Sequence, residues 1–202
     1  RSFRMYLEMS KEKDRLPDVK GLTMEEIFDK LRLTKNGELT RAAIILFGKD
    51  PRRFSTNAFV KIGRFKGDAD LRFQDVEEGN IIVLLKSVLD KYLTRSIEFK
   101  GMLRLEHSEY PIPALREMLL NALVHRKYMG SFIQIRVYDD KITIWNDGSL
   151  PEEITLESLK HVHSSHPRNP LIADVCFKGG LIDSWGRGTV RIIETCKEAG
   201  LP

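Results

Sequence analysis

The stretch Pro113 to Tyr128, P-A-L-R-E-M-L-L-N-A-L-V-H-R-K-Y, decides how the rest of the chain is read. At about 100° per residue, Leu115, Met118, Leu119, Ala122 and Leu123 share one broad helical face. Leu120 and Val124 carry apolar character most of the way round, so the helix is expected to be buried on nearly all sides. One stripe breaks the pattern: Glu117, Asn121 and His125, at i, i+4 and i+8. Burying a carboxylate and an amide costs several kcal/mol unless they are paired or face a polar cavity. The stripe therefore either joins a hydrogen-bond network or lines a pocket.

On the C-terminal side, Phe132 to Tyr138 alternates, Asp139-Asp140 turns the chain, and Lys141 to Trp145 returns, which spells a hairpin. Asn146 to Pro151 reads as a loop, Thr155 to Leu159 as a short helix, and His161 to Asn169 as irregular. Pro170 to Phe177 is helical, Gly179-Gly180 stops it, and Trp185-Gly186-Arg187-Gly188 leads into a last helix through Lys197. On the N-terminal side, residues 1 to 20 read as a solvated helix or connector. Thr23 and Glu26 have capping-box spacing before a helix to about Leu31. Asn36-Gly37 is a turn. Ala42 to Phe47 reads as helical and then extended, and Asp50-Pro51 breaks it. Ala58 to Phe65 suits a strand, Gly67 to Asp70 a loop, and Val76 to Tyr92 has helical period. Ser96 to His107 reads as a strand, with a hairpin bend at Gly101 as the variant. Pro111 and Pro113 close it, and Pro suits the first turn of the helix that follows.

The chain has 202 residues, 42% hydrophobic and 31% charged, with net charge +4. That is ordinary for a globular protein with a real core. The charge permits nucleic-acid contact without arguing for it. Cys176 and Cys196 form no C-x-x-C pair, which argues against a disulfide framework or cysteine zinc site and suits buried thiols. No run reaches the roughly 18 apolar residues of a membrane helix, and no signal peptide is visible. A cytoplasmic protein without a membrane partner is expected. The chain opens at Arg1 rather than Met and reads as an excised piece of something longer.

Four constellations could carry chemistry. Glu117 and Asn121, one turn apart, could orient water and offer oxygen to magnesium; they could equally be a satisfied polar pair. Gly186-Arg187-Gly188 before a helix could cradle a phosphate, with Arg187 adding charge, or could be a tight turn. Asn146-Asp147-Gly148 could read a base edge or simply turn the chain. His161, His163 and His166 invite a zinc reading, but no Glu or Cys stands at a usual ligand spacing. Arg168-Asn169-Pro170 could bring a cation to a phosphate or merely start a helix.

Taken in order, these pieces resemble the N, G1 and G2 boxes of the GHKL ATPases: Glu117-x-x-x-Asn121-Ala122, a strand pair, an Asp-Gly loop, then Gly-x-Gly opening a helix. The pattern is most similar to a divergent branch of bacterial transcriptional regulators whose tail is called RecG C-terminal-like or HATPase-like. That branch is matched by G-x-L-T-x-A-x-x-L-F-G-K-D-P at Gly37 to Pro51 and R-F-K-G at Arg64 to Gly67. It is matched further by A-L-R-E-x-L-x-N-A-x-x-H-R at Ala114 to Arg126, the loop Asn146 to Pro151, R-N-P-L-I-A at Arg168 to Ala173 and W-G-x-G at Trp185 to Gly188. No Walker A motif occurs, so a helicase motor is not implied.

The resemblance implies an α+β chain, a two-layer α/β sandwich that is Bergerat-like in its C-terminal half. It implies a connector and short helix at 1–35, an N-terminal α/β extension at 36–110 and the HATPase-like region at 111–202. By the same resemblance, Glu117 would be catalytic and Asn121 would hold magnesium through Mg-ATP. His125, Asn146, Asp147, Gly148, Arg168, Gly186, Arg187 and Gly188 would contribute to the ATP site, and residues 161–184 would form a lid. DNA would be met through AlbA-like or winged-helix domains outside this stretch, and a homodimer is compatible. The G1 position that normally supplies an adenine-reading Asp holds Trp145, or Asn146 with a one-residue gap. The alternative is a degenerate ATPase fold without nucleotide, serving dimerisation or protein interaction.

Overall fold

The computed structural model describes the backbone of residues 1–92, 95–100, 103–108, 110–183 and 185–201, and side chains outside 92–109. The chain opens with α1 (Ser2–Ser10) and α2 (Met24–Lys30). The capping box of α2 forms in full: Glu26 N–H donates to Thr23 Oγ1 at 3.3 Å and Thr23 N–H donates to Glu26 Oε2 at 2.7 Å. A two-stranded ribbon, β1 (Thr34–Lys35) and β2 (Glu38–Leu39), turns at Asn36-Gly37, both with positive φ. Then come α3 (Arg41–Phe47), β3 (Phe59–Lys66), β4 (Asp70–Glu78), α4 (Ile81–Tyr92), β5 (Arg95–Lys100) and β6 (Leu103–Ser108). The second half supplies α5 (Ile112–His125), β7 (Ile133–Val137), β8 (Ile142–Trp145), α6 (Pro170–Lys178) and α7 (Gly188–Glu198).

The main sheet has strand order β4-β3-β7-β8. Its central pair, β3 and β7, is parallel, and the other pairs are antiparallel. A parallel pair requires a crossover, and α4 and α5 lie in the chain between these two strands. Alternation sends Val60, Ile62, Ile133, Ile135 and Val137 to one face, where all are buried. They join Leu119, Leu120 and Leu123 of α5, Ile81, Leu85 and Val88 of α4, and Ile172 and Val175 of α6 in one core. The fold is thus α+β, helices layered on one side of a mixed sheet.

Several expectations change on contact with the tertiary structure. The helix of the opening stretch ends at His125, because Arg126 is extended. The first twenty residues are no mere connector: Tyr6 is fully buried and its hydroxyl donates to Val175 O at 2.9 Å. Ala42 to Phe47 stays helical throughout, capped by Thr40. The helix expected from Val76 begins only at Ile81, and residues 70–78 form β4 instead. This edge strand hides its period because the positions opposite the buried Val60 and Ile62 are Glu77 and Asp75. Glu77, opposite Val60, is buried and accepts from Ser87 and from Lys91 Nζ of α4. The helix at 155–159 is a single tight turn at 158–160. Cys176 is buried as a small apolar residue, whereas Cys196 is only half-buried; both are free. The expected bend at Gly101 lies outside the described residues. Among the described residues, no helix is long and apolar enough to cross a membrane.

If α1 is part of the core, Tyr6→Ala should cost about 3–5 kcal/mol, the range for deleting a buried aromatic ring. Urea unfolding of the variant checks this; a loss below 1 kcal/mol would return α1 to the status of a connector.

Candidate functional site

The stripe on α5 keeps its predicted face. Glu117 is only 6% exposed, while Asn121 and His125 are half-buried. Across from them stands the first residue of α7. A Cβ built on Gly188 would lie 2.3 Å from Glu117 Oε1 and 3.5 Å from Asn121 Nδ2. Only glycine allows α7 to begin this close to the stripe. Among the described residues, no hydrogen bond reaches the Glu117 carboxylate or the Asn121 amide.

The environment of Glu117 is divided. Burial raises its pKa above the ordinary carboxylate value, Arg116 and Arg191 pull it down, and Asp183 pushes it up further. The α7 N-terminus carries no side-chain cap and no acid in its first turn. Its free N–H groups and dipole favour an anion, and the Glu117 carboxylate lies beside them.

The turn before α7 is held by the segment expected to be a lid. Gly186 has φ +62°, and a Cβ there would fall 1.6 Å from His163 O. Thr189 Oγ1 lies 3.4 Å from His163 Nε2. His163 is therefore a packing element of this turn, and His161 points instead toward Glu157 at 3.9 Å. Among the described residues, no three His, Cys, Asp or Glu side chains gather to hold a metal ion. Arg187 is exposed, and Ser184 lies outside the described residues.

A second cluster forms at the other end of the stripe, about 12 Å along α5 at 1.5 Å per residue. His125 is held below the usual imidazole range by burial, then by Arg168 and His163. The Gly148 Cβ position is 3.3 Å from both Arg168 Nε and His125 O, and Arg168 Nη2 donates to Ser149 O at 2.9 Å. His125, Gly148 and Arg168 are thus brought together. Asp147 is tied into the loop on one side. Its Oδ2 accepts from Ser131 N–H at 3.0 Å, and its carbonyl accepts from Lys127 N–H at 2.7 Å. The Asn146 amide makes only a long bond to Asp147 O, 3.4 Å.

Two residues that build this end, Arg126 and Asn169, were not among the expected ATP-site residues. Arg126 is 1% exposed, donates to Asn57 O and Ser131 O at 2.7 and 2.8 Å, and lies over the Tyr128 ring. Asn169 donates to Val124 O and Arg126 O, closing the C-terminus of α5. The Asn-Pro step announced a helix start, but the amide serves another helix's end. Nothing local marks Arg126 as buried. A cavity of about 530 Å³ lies elsewhere, between α1 and residues 11–20.

A helix layer thus packs on one side of a mixed sheet, and a polar stripe on α5 faces the glycine-led α7. Residues 130–202 match the family described as "Putative ATP-dependent DNA helicase recG C-terminal". The match begins after α5, so Glu117 and Asn121 precede it. The crystal structure of the DIP2311 protein from Corynebacterium diphtheriae is similar, with TM-score 0.73 and 23% identity over 98% of this chain. That likeness concerns the fold, and the chain spans 40% of that protein's length. No curated protein matches the chain.

Two outcomes follow from the Glu117 contact. Gly188→Ala should push the carboxylate aside and cost about 1–2 kcal/mol by overpacking, a cost that disappears in a Glu117→Ala background; a double-mutant cycle in urea measures it. Because burial raises the folded pKa, the native state holds its proton more tightly than the unfolded chain. Stability should therefore fall as pH rises above 4.5. Glu117→Gln should gain on the wild type between pH 4 and 8, and parallel unfolding curves would expose a flat difference as the contrary result.

Proposed function

We propose that this chain is an ATPase-like, Mg-ATP-binding module of a DNA-associated bacterial transcriptional regulator, working in the cytoplasm. The observation that carries the reading is that Glu117, a buried residue, and the half-buried Asn121 share a stripe with no hydrogen bond to either side chain among the described residues, beside an uncapped helix N-terminus. Buried polar groups are otherwise paired in the great majority of cases.

The donor set suits the group. A carboxylate and an amide oxygen are hard ligands of the kind magnesium takes, and the first N–H groups of α7 suit phosphate. Asn121 would hold the ion, Gly186 and Gly188 would let the backbone approach phosphate, and Arg168 with His125 would serve the far end of the stripe. When bound, magnesium would neutralise phosphate charge. Glu117 would orient water, its pKa raised by burial in the direction that favours a proton acceptor. The Gly188 contact means the turn at 185–188 must withdraw to admit a triphosphate. DNA contact through domains beyond this stretch and a homodimer belong to the same proposal.

The same contact favours a second reading: a degenerate ATPase fold in which α7 permanently occupies the nucleotide's place and the module mediates dimerisation. The two readings part on one titration. Saturating Mg-ATP should raise Tm, with roughly 2.7 kcal/mol of stabilisation at a hundredfold excess over Kd, and Asn121→Ala should abolish the shift. An unchanged Tm at millimolar Mg-ATP, with light scattering reporting a dimer, selects the second reading.

A further inference from the structure

The sheet face turned away from the helices is open, and its composition is unlike a plain solvated surface. Register places Val76, Lys61, Gln134 and Trp145 in one row across all four strands. Val76 and Trp145 are 42% and 45% exposed, and Lys61 is exposed too. The next row carries Gly63 beside an exposed Arg136. The glycine has a steric reason: a Cβ there would meet the Phe65 ring at 2.7 Å and Leu71 Cδ1 at 3.3 Å. The Phe65 ring is thereby laid along the sheet, stacked on Tyr138 with centroids 5.5 Å apart.

Charge on this face is one-sided. Lys61 and Arg136 have no carboxylate partner among the described residues; Arg136 donates only to Gln134 Oε1. The carboxylate at the rim, Glu78, is already engaged by Arg52. An exposed indole at Trp145 and the half-buried Phe65 ring, interleaved with the unpaired cations Lys61 and Arg136, are the chemistry that holds single-stranded nucleic acid, where bases stack and phosphates find cations. A second copy of the chain would bring Lys61 and Arg136 against their own counterparts, which like-charge repulsion opposes. Leu71 and Val76, 44% and 42% exposed beside the cations, offer apolar contact to the sugar edge, and the C2′ methylene of deoxyribose presents more apolar surface there than ribose does. We propose that this outer face, centred on Lys61, Arg136, Phe65 and Trp145, binds single-stranded DNA. The proposal is independent of whether the α5 stripe binds nucleotide.

The test is fluorescence anisotropy of a labelled oligothymidylate of about 12 nucleotides, within the span of one single-strand-binding fold, titrated with the chain described here. Binding should weaken at least about fivefold in Trp145→Ala through lost stacking. In Lys61→Glu/Arg136→Glu the slope of log K against log salt should shrink by about 1.4, or 0.7 per cation. Lys11→Glu/Lys20→Glu, with the same charge change away from the sheet, should bind within twofold of wild type. All positions are exposed, and circular dichroism checks folding. No binding at low salt, equal loss in both charge-reversal variants, or tighter binding of duplex or RNA would overturn the proposal. So would a dimer that Trp145→Ala dissolves.

Discussion

One carboxylate organises this molecule. Glu117 sits on a helix buried on every other side, so the stripe it shares with Asn121 and His125 is the polar boundary of the core. The element facing it must tolerate an anion and must come close, and α7 does both, starting on Gly188 with uncapped N–H groups. Burial then raises the pKa of this carboxyl while Arg116 and Arg191 lower it.

The contacts around this pair form a closed set. Gly186 rests on His163, Arg168 on Gly148 and Ser149, and Asn169 on the last carbonyls of α5. The segment 161–169 is therefore tied at both ends of the stripe. Opening the site for a large anion would break few strong bonds, since those holding the turn at 186 are long: 3.5 Å from His163 N–H to Gly186 O and 3.4 Å at Thr189. Those at Asn169 are short, 2.7 and 2.9 Å. The glycine turn is therefore held by longer hydrogen bonds than the end of α5.

Much of this was legible. The stripe, the hairpin of β7 and β8, the capping box of α2 and the glycine-led last helix all rest on local periodicity or local capping, which one stretch of sequence carries by itself. The polar edge strand β4 was not, because Glu77 reads as a surface residue until α4 supplies Lys91. Tyr6 was likewise lost among charged neighbours, its partner Val175 lying 169 residues away. Asp147 illustrates the same limit within the site. Its type left base reading and turn formation both open, and only the fold reveals that one of its carboxylate oxygens accepts from Ser131 N–H.

By itself, then, the sequence determined which helix is greasy, which of its residues break the pattern, and where glycines permit close approach. These are properties of spacing and side-chain chemistry. The tertiary structure alone decided that β3 and β7 lie parallel at the centre of the sheet, that the first helix belongs to the core, and that α7 closes on Glu117. Each of those depends on pairing between segments far apart in the chain, where the free energy resides in contacts that no local window contains.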